Sequence, residues 1–291
     1  MILLYKTCEV TNNSRIKYYA DGSVKLSVAN GQVYKSSDYV TSDNSTYHSP
    51  IVSCETDEET FLERKYKSRK DSIRRSKDKV FDLVKMNDWQ FFFTGTLNDN
   101  CGVDRYNADE VCKKVNTFMY NLVKRGKVLR YIFVPEYHAD GAVHYHGFVN
   151  LTDSALYCLA VSKRTGKVIR RGKNRSLVFN WLDWKFGFTT LIHTYNDVHS
   201  MACYFSKYIT KGQDFPMKHR YYCGGDVVRV VPTEYVDLDF MSVPCDVTVT
   251  EFGDFKFISF RSVDDFSDFL LCFMTQYEIN YILKGGYSYV V

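Results

Sequence analysis

The segment from Arg130 to Asn150 leaves little choice of local fold. Arg130–Glu136 and Ala142–Asn150 are two runs rich in β-branched and aromatic residues. Between them, Ala139-Asp140-Gly141 supplies turn residues, so the two runs close a β-hairpin. Side chains alternate across a strand, and His144 and His146 therefore project from one face, where two imidazoles can share a divalent ion. Register decides what joins them. A three-residue loop ending with Gly141 in the left-handed region pairs His138 with Ala142 and sets Glu136 directly opposite His144. A two-residue turn on Asp140-Gly141 puts Glu136 on the other face. Both turns are open to this sequence, and only the first makes Glu136, His144 and His146 a three-ligand metal candidate. His138, His193, His199 and His219 are assigned structural or surface roles.

Around the hairpin the pattern alternates between strand and helix. Glu58–Asn87 has helical spacing, with nine Lys or Arg between Arg64 and Lys79. Trp89–Leu97 (WQFFFTGTL) reads as a buried strand, and Asp109–Arg125 as a helix stopped by Gly126. A basic stretch, Lys163–Arg175, reads as an exposed loop or hairpin. Phe186–Thr194 reads as a strand, followed by a helix capped by Asn196 or Asp197 that runs to Lys211. This order favours hairpins over crossovers and implies an α+β fold with a largely antiparallel sheet. Residues 1–59 read as a β-rich or partly disordered arm. Residues 236–291 form an acidic module, with strand character over Val247–Phe260 and helix character over Val263–Leu283. The main domain is placed at 60–235.

Charge is divided unevenly along the chain. Residues 61–235 hold 30 Lys+Arg against 17 Asp+Glu, whereas the flanks are net acidic. A basic centre suits a polyanionic partner. Arg74 and Arg75 in the first helix, and Arg171, Lys173 and Arg175 in the basic stretch, are the candidate nucleic-acid contacts, although a solvated helix face would explain the first pair equally well. The nine cysteines are scattered without a CxxC, a usage that fits reduced thiols in a cytosol rather than a disulfide framework. With no long apolar run and no signal-like N-terminus, a soluble protein without a membrane partner is expected.

Tyr204 and Tyr208 lie at i and i+4 on one helix face, each followed three residues later by a lysine, Lys207 and Lys211. Such a lysine can neutralise charge that develops on a phosphate and favours the phenolate. In a chain with 23 tyrosines, this helix taken alone is as readily a packing stripe as a pair of nucleophiles.

Taken in order, FFFTGTL (91–97), PEYHADGAVHYHGF (135–148) and YFSKYITK (204–211) resemble the three motifs of the HUH endonucleases that start rolling-circle replication in bacterial phages and plasmids. The paired tyrosines are similar to those of phage gene A-type proteins. The resemblance covers roughly residues 60–235. It implies the HUH endonuclease fold, a mainly antiparallel central sheet flanked by helices, with small terminal appendages. It further implies Mg²⁺ or Mn²⁺ on Glu136, His144 and His146, nucleophilic Tyr208 and Tyr204, and assisting Lys207 and Lys211. The substrate would be single-stranded or extruded origin DNA, nicked and rejoined through a 5′-phosphotyrosine in the cytoplasm of a bacterial host. A host helicase and DNA polymerase would complete replication, since Gly166–Asn174 lacks the spacing and the Ser/Thr of a phosphate-binding motor loop. A relaxase or transposase with the same chemistry, or a non-catalytic nucleic-acid-binding module, are the alternatives. Gly95 departs from the apolar residue usual in the first motif.

Overall fold

The computed structural model describes residues 5–31, 33–40, 46–47, 58–99, 102–194, 197–211, 219–246, 248–250 and 253–273. They divide into two compact units, one over Glu63–Arg229 and one formed by the two flanks. In chain order the first strands are β1 (Tyr5–Thr11), β2 (Ser14–Tyr18), β3 (Val24–Ala29), β4 (Val33–Val40) and β5 (Thr46–Tyr47). The central elements are α1 (Glu58–Lys85), β6 (Phe91–Leu97), α2 (Ala108–Lys124), β7 (Val128–Tyr137), β8 (Val143–Leu151), β9 (Tyr157–Leu159), β10 (Arg170–Arg171), β11 (Ser176–Leu177), β12 (Phe179–Trp181), β13 (Gly187–His193), α3 (Val198–Lys211) and β14 (Tyr222–Gly225). The chain continues with β15 (Thr233–Val236), β16 (Thr248–Thr250), β17 (Gly253–Phe260) and α4 (Val263–Phe273).

The central unit is a seven-stranded sheet in the order β14-β7-β8-β6-β13-β12-β9, with every pairing antiparallel. Its two faces are sorted by strand alternation. Phe91, Phe93 and Leu97 of β6 join Tyr131, Phe133, Tyr145 and Val149 on one face, where they bury Val111, Cys112, Val115, Met119 and Leu122 of α2. On the other face Ile132, Val134 and Phe148 pack with Val80, Leu83 and Val84 of α1 and with Ala202, Phe205, Tyr208 and Ile209 of α3.

The helices start and stop where their sequences instruct them to. Asn107 caps α2 by accepting from the Glu110 N–H at 3.2 Å. Gly126 ends the helix at φ +68°, its N–H donating to Val123 while the Lys127 N–H donates to Leu122. At α3, the Asp197 carboxylate accepts from the Ser200 N–H at 2.9 Å, whereas Asn196, the other expected cap, lies outside the described residues. Buried Asn87, just past α1, ties that helix end to the segment after β14: its amide donates to the Leu83 and Val228 carbonyls, and its oxygen accepts from the Val228 N–H.

The flanks, expected as two separate appendages, share one sheet instead. Its order is β15-β2-β3-β17-β16, so strands from before residue 30 lie between strands from after residue 232. Ile16, Leu26 and Val28 pack with Val236, Leu238, Phe240 and with Phe266 and Leu270 of α4. Lys256 is buried in this unit and donates to the Phe240 and Val243 carbonyls at 2.8 and 2.6 Å, which satisfies its ammonium without a carboxylate. A second sheet runs β1-β4-β5. The expected helix over 263–283 is seen as α4; positions 274–283 lie outside the described residues. Among the described residues no helix is long and apolar enough to cross a membrane.

Gly95 has a packing reason. A Cβ there would stand 2.5 Å from the Phe93 ring and 2.9 Å from Trp184, because the Trp184 indole lies on the strand where other residues carry a side chain. Gly95→Ala is expected to lower stability by about 1–3 kcal/mol through overpacking, read as a lowered urea midpoint at unchanged m-value.

Candidate active site

Of the two hairpin registers open to the sequence, the chain adopts the three-residue loop. The His138 N–H donates to the Ala142 carbonyl, the Gly141 N–H to the His138 carbonyl, and Gly141 sits at φ +84°. Glu136 is therefore paired with His144, and Val134 with His146. Asp140 at the tip accepts from the Ala142 N–H at 3.0 Å and pairs with Arg105 at 3.2 Å. The Arg105 carbonyl in turn accepts from the Val143 N–H, so one residue braces both the loop and the start of β8.

Glu136, His144 and His146 lie on the α3 side of the sheet, and Tyr145 points the other way, fully buried against Cys112 at 3.1 Å. Glu136 Oε1 lies 2.8 Å from His146 Nε2. Neighbouring β6 is registered so that Thr94 faces His146 and Thr96 faces His144. Their hydroxyls stand 3.3 and 3.1 Å from the respective Nδ1 atoms. Burial, reinforced by His146, lowers the His144 pKa to about 4, so this imidazole is neutral at pH 7.

On α3, Tyr208 is buried and stacks on His146 with ring centroids 4.1 Å apart. Tyr204 is 52% exposed and edges Phe92 at 5.9 Å. The two phenol oxygens are 2.6 Å apart. Burial, the Tyr204 hydroxyl and the Glu136 carboxylate all push the Tyr208 pKa upward, so Tyr208 is a neutral phenol here. These groups open on a cavity of about 510 Å³, whose lining includes Thr94, Thr96, His138, His144, His146, Arg171, Tyr204 and Tyr208.

The donor chemistry suits a divalent ion. One carboxylate and two imidazoles share a face, and both Nδ1 atoms face a threonine hydroxyl, which leaves Nε2 of each ring as the nitrogen not engaged by threonine. As the side chains stand, the Glu136 carboxylate rests directly on His146, and among the described residues no three His, Cys, Asp or Glu side chains are arranged to hold an ion.

The other expected site residues divide. Lys207 is exposed and does not line the cavity; Lys211 ends α3, and its side chain lies outside the described residues. Arg171 reaches the cavity from the β10–β11 hairpin. Lys173 and Arg175 are exposed in the turn of that hairpin. Arg74 and Arg75 are exposed on α1, Arg74 paired with Asp71 at 3.5 Å, and neither lines the cavity. His193 packs on Phe91 and His199 on Phe81, in structural roles. His138, assigned to the same class, instead lines the cavity 5.4 Å from His144. Thr94 and Thr96 were legible only as part of a strand; their role comes from the pairing of β6 with β8.

Residues 90–213 match the family model of the ORF2-type replication-associated proteins. The match opens just before β6 and ends just after α3, so it holds the threonine strand, the histidine hairpin and both tyrosines. No curated protein and no solved structure matches the chain.

The two tyrosines are bound unequally into the fold. Tyr208→Ala should cost about 3 kcal/mol as a cavity-forming core change, and Tyr204→Ala less than about 1 kcal/mol at its exposed position. Urea unfolding of both variants measures the difference.

Proposed function

We propose that the central unit is a replication initiator that nicks and rejoins single-stranded DNA at an origin through a 5′-phosphotyrosine. The observation that carries this reading is the meeting of two tyrosine hydroxyls, 2.6 Å apart, with a Glu and two His on one sheet face, inside a region similar to replication-associated proteins.

In this reading a strand lies in the cavity with its scissile phosphate beside the phenol oxygens. Arg171 at the rim offers a planar fork of N–H donors to a neighbouring phosphate. The β10–β11 hairpin that carries it belongs to a stretch, residues 154–182, with seven Lys or Arg and no Asp or Glu, a surface suited to following a phosphate backbone. Glu136, His144 and His146 would hold Mg²⁺ or Mn²⁺, which when bound supplies Lewis-acid polarisation of the scissile phosphate. Tyr208 is placed by its stacking on His146, and a positive field there offsets the Glu136 charge that disfavours its phenolate. The tyrosine oxygen bonds to phosphorus as the bond from phosphorus to the 3′-oxygen breaks. The tyrosine proton is lost and the departing oxygen gains one, leaving a free 3′-hydroxyl and a 5′-phosphotyrosine. Tyr204, whose hydroxyl occupies the same place, can attack a second phosphate or receive the strand when Tyr208 is occupied. Lys207 and Lys211 are the helix's own cations for charge developing at that phosphate. A host polymerase would extend the 3′-hydroxyl and a host helicase would open the duplex.

The test is a covalent adduct. With Mn²⁺, the protein should become linked to a labelled single-stranded origin oligonucleotide in denaturing gels. Each of Tyr208→Phe and Tyr204→Phe should leave part of the adduct, and the double change should abolish it. Chelation or His146→Ala should reduce it by about 100-fold or more, the scale of losing a group central to charge stabilisation. Binding of the same oligonucleotide without any adduct would make this a binding module and overturn the enzymatic reading. Nicks confined to transfer origins or element ends would assign the chemistry to a relaxase or a transposase.

A further inference from the structure

A second polar cavity, of about 500 Å³, lies at the β14 edge of the central sheet. Ser72 and Ser76 of α1 line it one helical turn apart, with Asn116 of α2, His219, Arg220 and Arg229. It shares no residue with the cavity at the tyrosines. Among the described residues no carboxylate lines it.

Its arginines are held without being neutralised. Arg229 donates to Cys223 Sγ at 3.0 Å and to the Cys223 carbonyl at 3.2 Å, both uncharged acceptors. That arm is anchored behind the site, since the Arg229 carbonyl accepts from Lys79 Nζ at 2.6 Å and the adjacent Val228 is clasped by Asn87. Arg220 is partly buried, and among the described residues no hydrogen bond or ion pair engages its guanidinium. Burial and the like charge of Arg69 lower its pKa, the signature of a cation lacking its counter-charge. A partly desolvated guanidinium with no acceptor is unfavourable unless a ligand supplies one. Two arginine forks, two serine hydroxyls and one amide around a single cavity match the several oxygens of a tetrahedral oxyanion, and arginine is the side chain best shaped for it.

We propose that this cavity is a phosphate-binding site, separate from the tyrosine site, that takes a phosphate group carried by a nucleic-acid strand or by a free nucleotide. The site does not depend on the nicking chemistry. On a strand it gives the central unit a second grip at that edge of the sheet, two strands away from β8. Its dimensions accommodate a phosphate together with its sugar.

The test uses the full chain carrying Tyr204→Phe and Tyr208→Phe, so that no covalent step intervenes and the result stands apart from any adduct assay. Binding of a labelled oligothymidine is followed by anisotropy across a salt series, and binding of thymidine 5′-monophosphate by calorimetry. Arg220→Ala removes the unpaired fork. Ser76→Asp leaves the arginines in place and fills the cavity with a carboxylate, and it keeps the test valid should Arg220→Ala fail to fold. If the phosphate comes on a strand, both changes should weaken oligothymidine binding about tenfold and lower the salt slope by about one, with little effect on the weak binding of the mononucleotide. If it comes on a nucleotide, wild-type cavity residues should bind the monophosphate, both changes should remove that binding, and the oligothymidine slope should stay unchanged. Oligothymidine affinity, salt slope and monophosphate binding that are all the same with and without the two changes would overturn the proposal.

Discussion

The central unit depends on the register of one hairpin. Side chains alternate with a period of two, so a slip of one residue between β7 and β8 would carry every side chain of one strand to the opposite face. In the register adopted, Glu136, His144 and His146 meet on the face that carries α3, while Tyr145 and Phe133 pack into the aromatic layer beneath α2. A slipped register would bury the carboxylate among those rings and leave the large apolar side chains to solvent. Turn and core therefore enforce the same answer: Gly141 in its left-handed conformation, Asp140 clasped by Arg105, and the apolar layer on the far side all exclude the alternatives.

From that fixed face the remaining geometry follows by packing. α3 is held through Ala202, Phe205 and Ile209 against Ile132, Val134 and Phe148, and the helical spacing then carries Tyr208 onto His146 and Tyr204 to the rim. Chemically similar residues one turn apart thus occupy unlike environments. One phenol is part of the core and the other faces solvent, although their oxygens touch. A pair of identical groups made unequal by burial has a natural order of action, in which the buried member is pre-aligned and the exposed one adapts to it.

Much of this was legible from local sequence, for physical reasons. The hairpin, the helix caps and Gly126 are short-range signals in which each residue's backbone preference acts within a few positions. The tyrosine pair was legible because helical spacing is regular. What escaped depended on contacts distant in the chain. Thr94 and Thr96 acquire their partners only when β6 pairs with β8, some fifty residues on. His138 reads as a turn residue until the curvature of the sheet brings it to the cavity. Strands β2 and β3 bond to β15 and β17 across more than 200 residues, a union that neither flank's composition announces. Gly95, a departure from the family pattern, is explained by Trp184, almost ninety positions away.

The two threonines behind the histidines carry a consequence of their own. A hydroxyl is both donor and acceptor, so Thr94 and Thr96 can satisfy Nδ1 whether or not it bears the hydrogen. An imidazole backed by a backbone carbonyl would be locked in one tautomer. Here the proton can move from one ring nitrogen to the other with no more than rotation about the threonine C–O bond, and no polar atom is stranded on the way. The strand remains rigid while the lone pair it presents to the cavity is free to change.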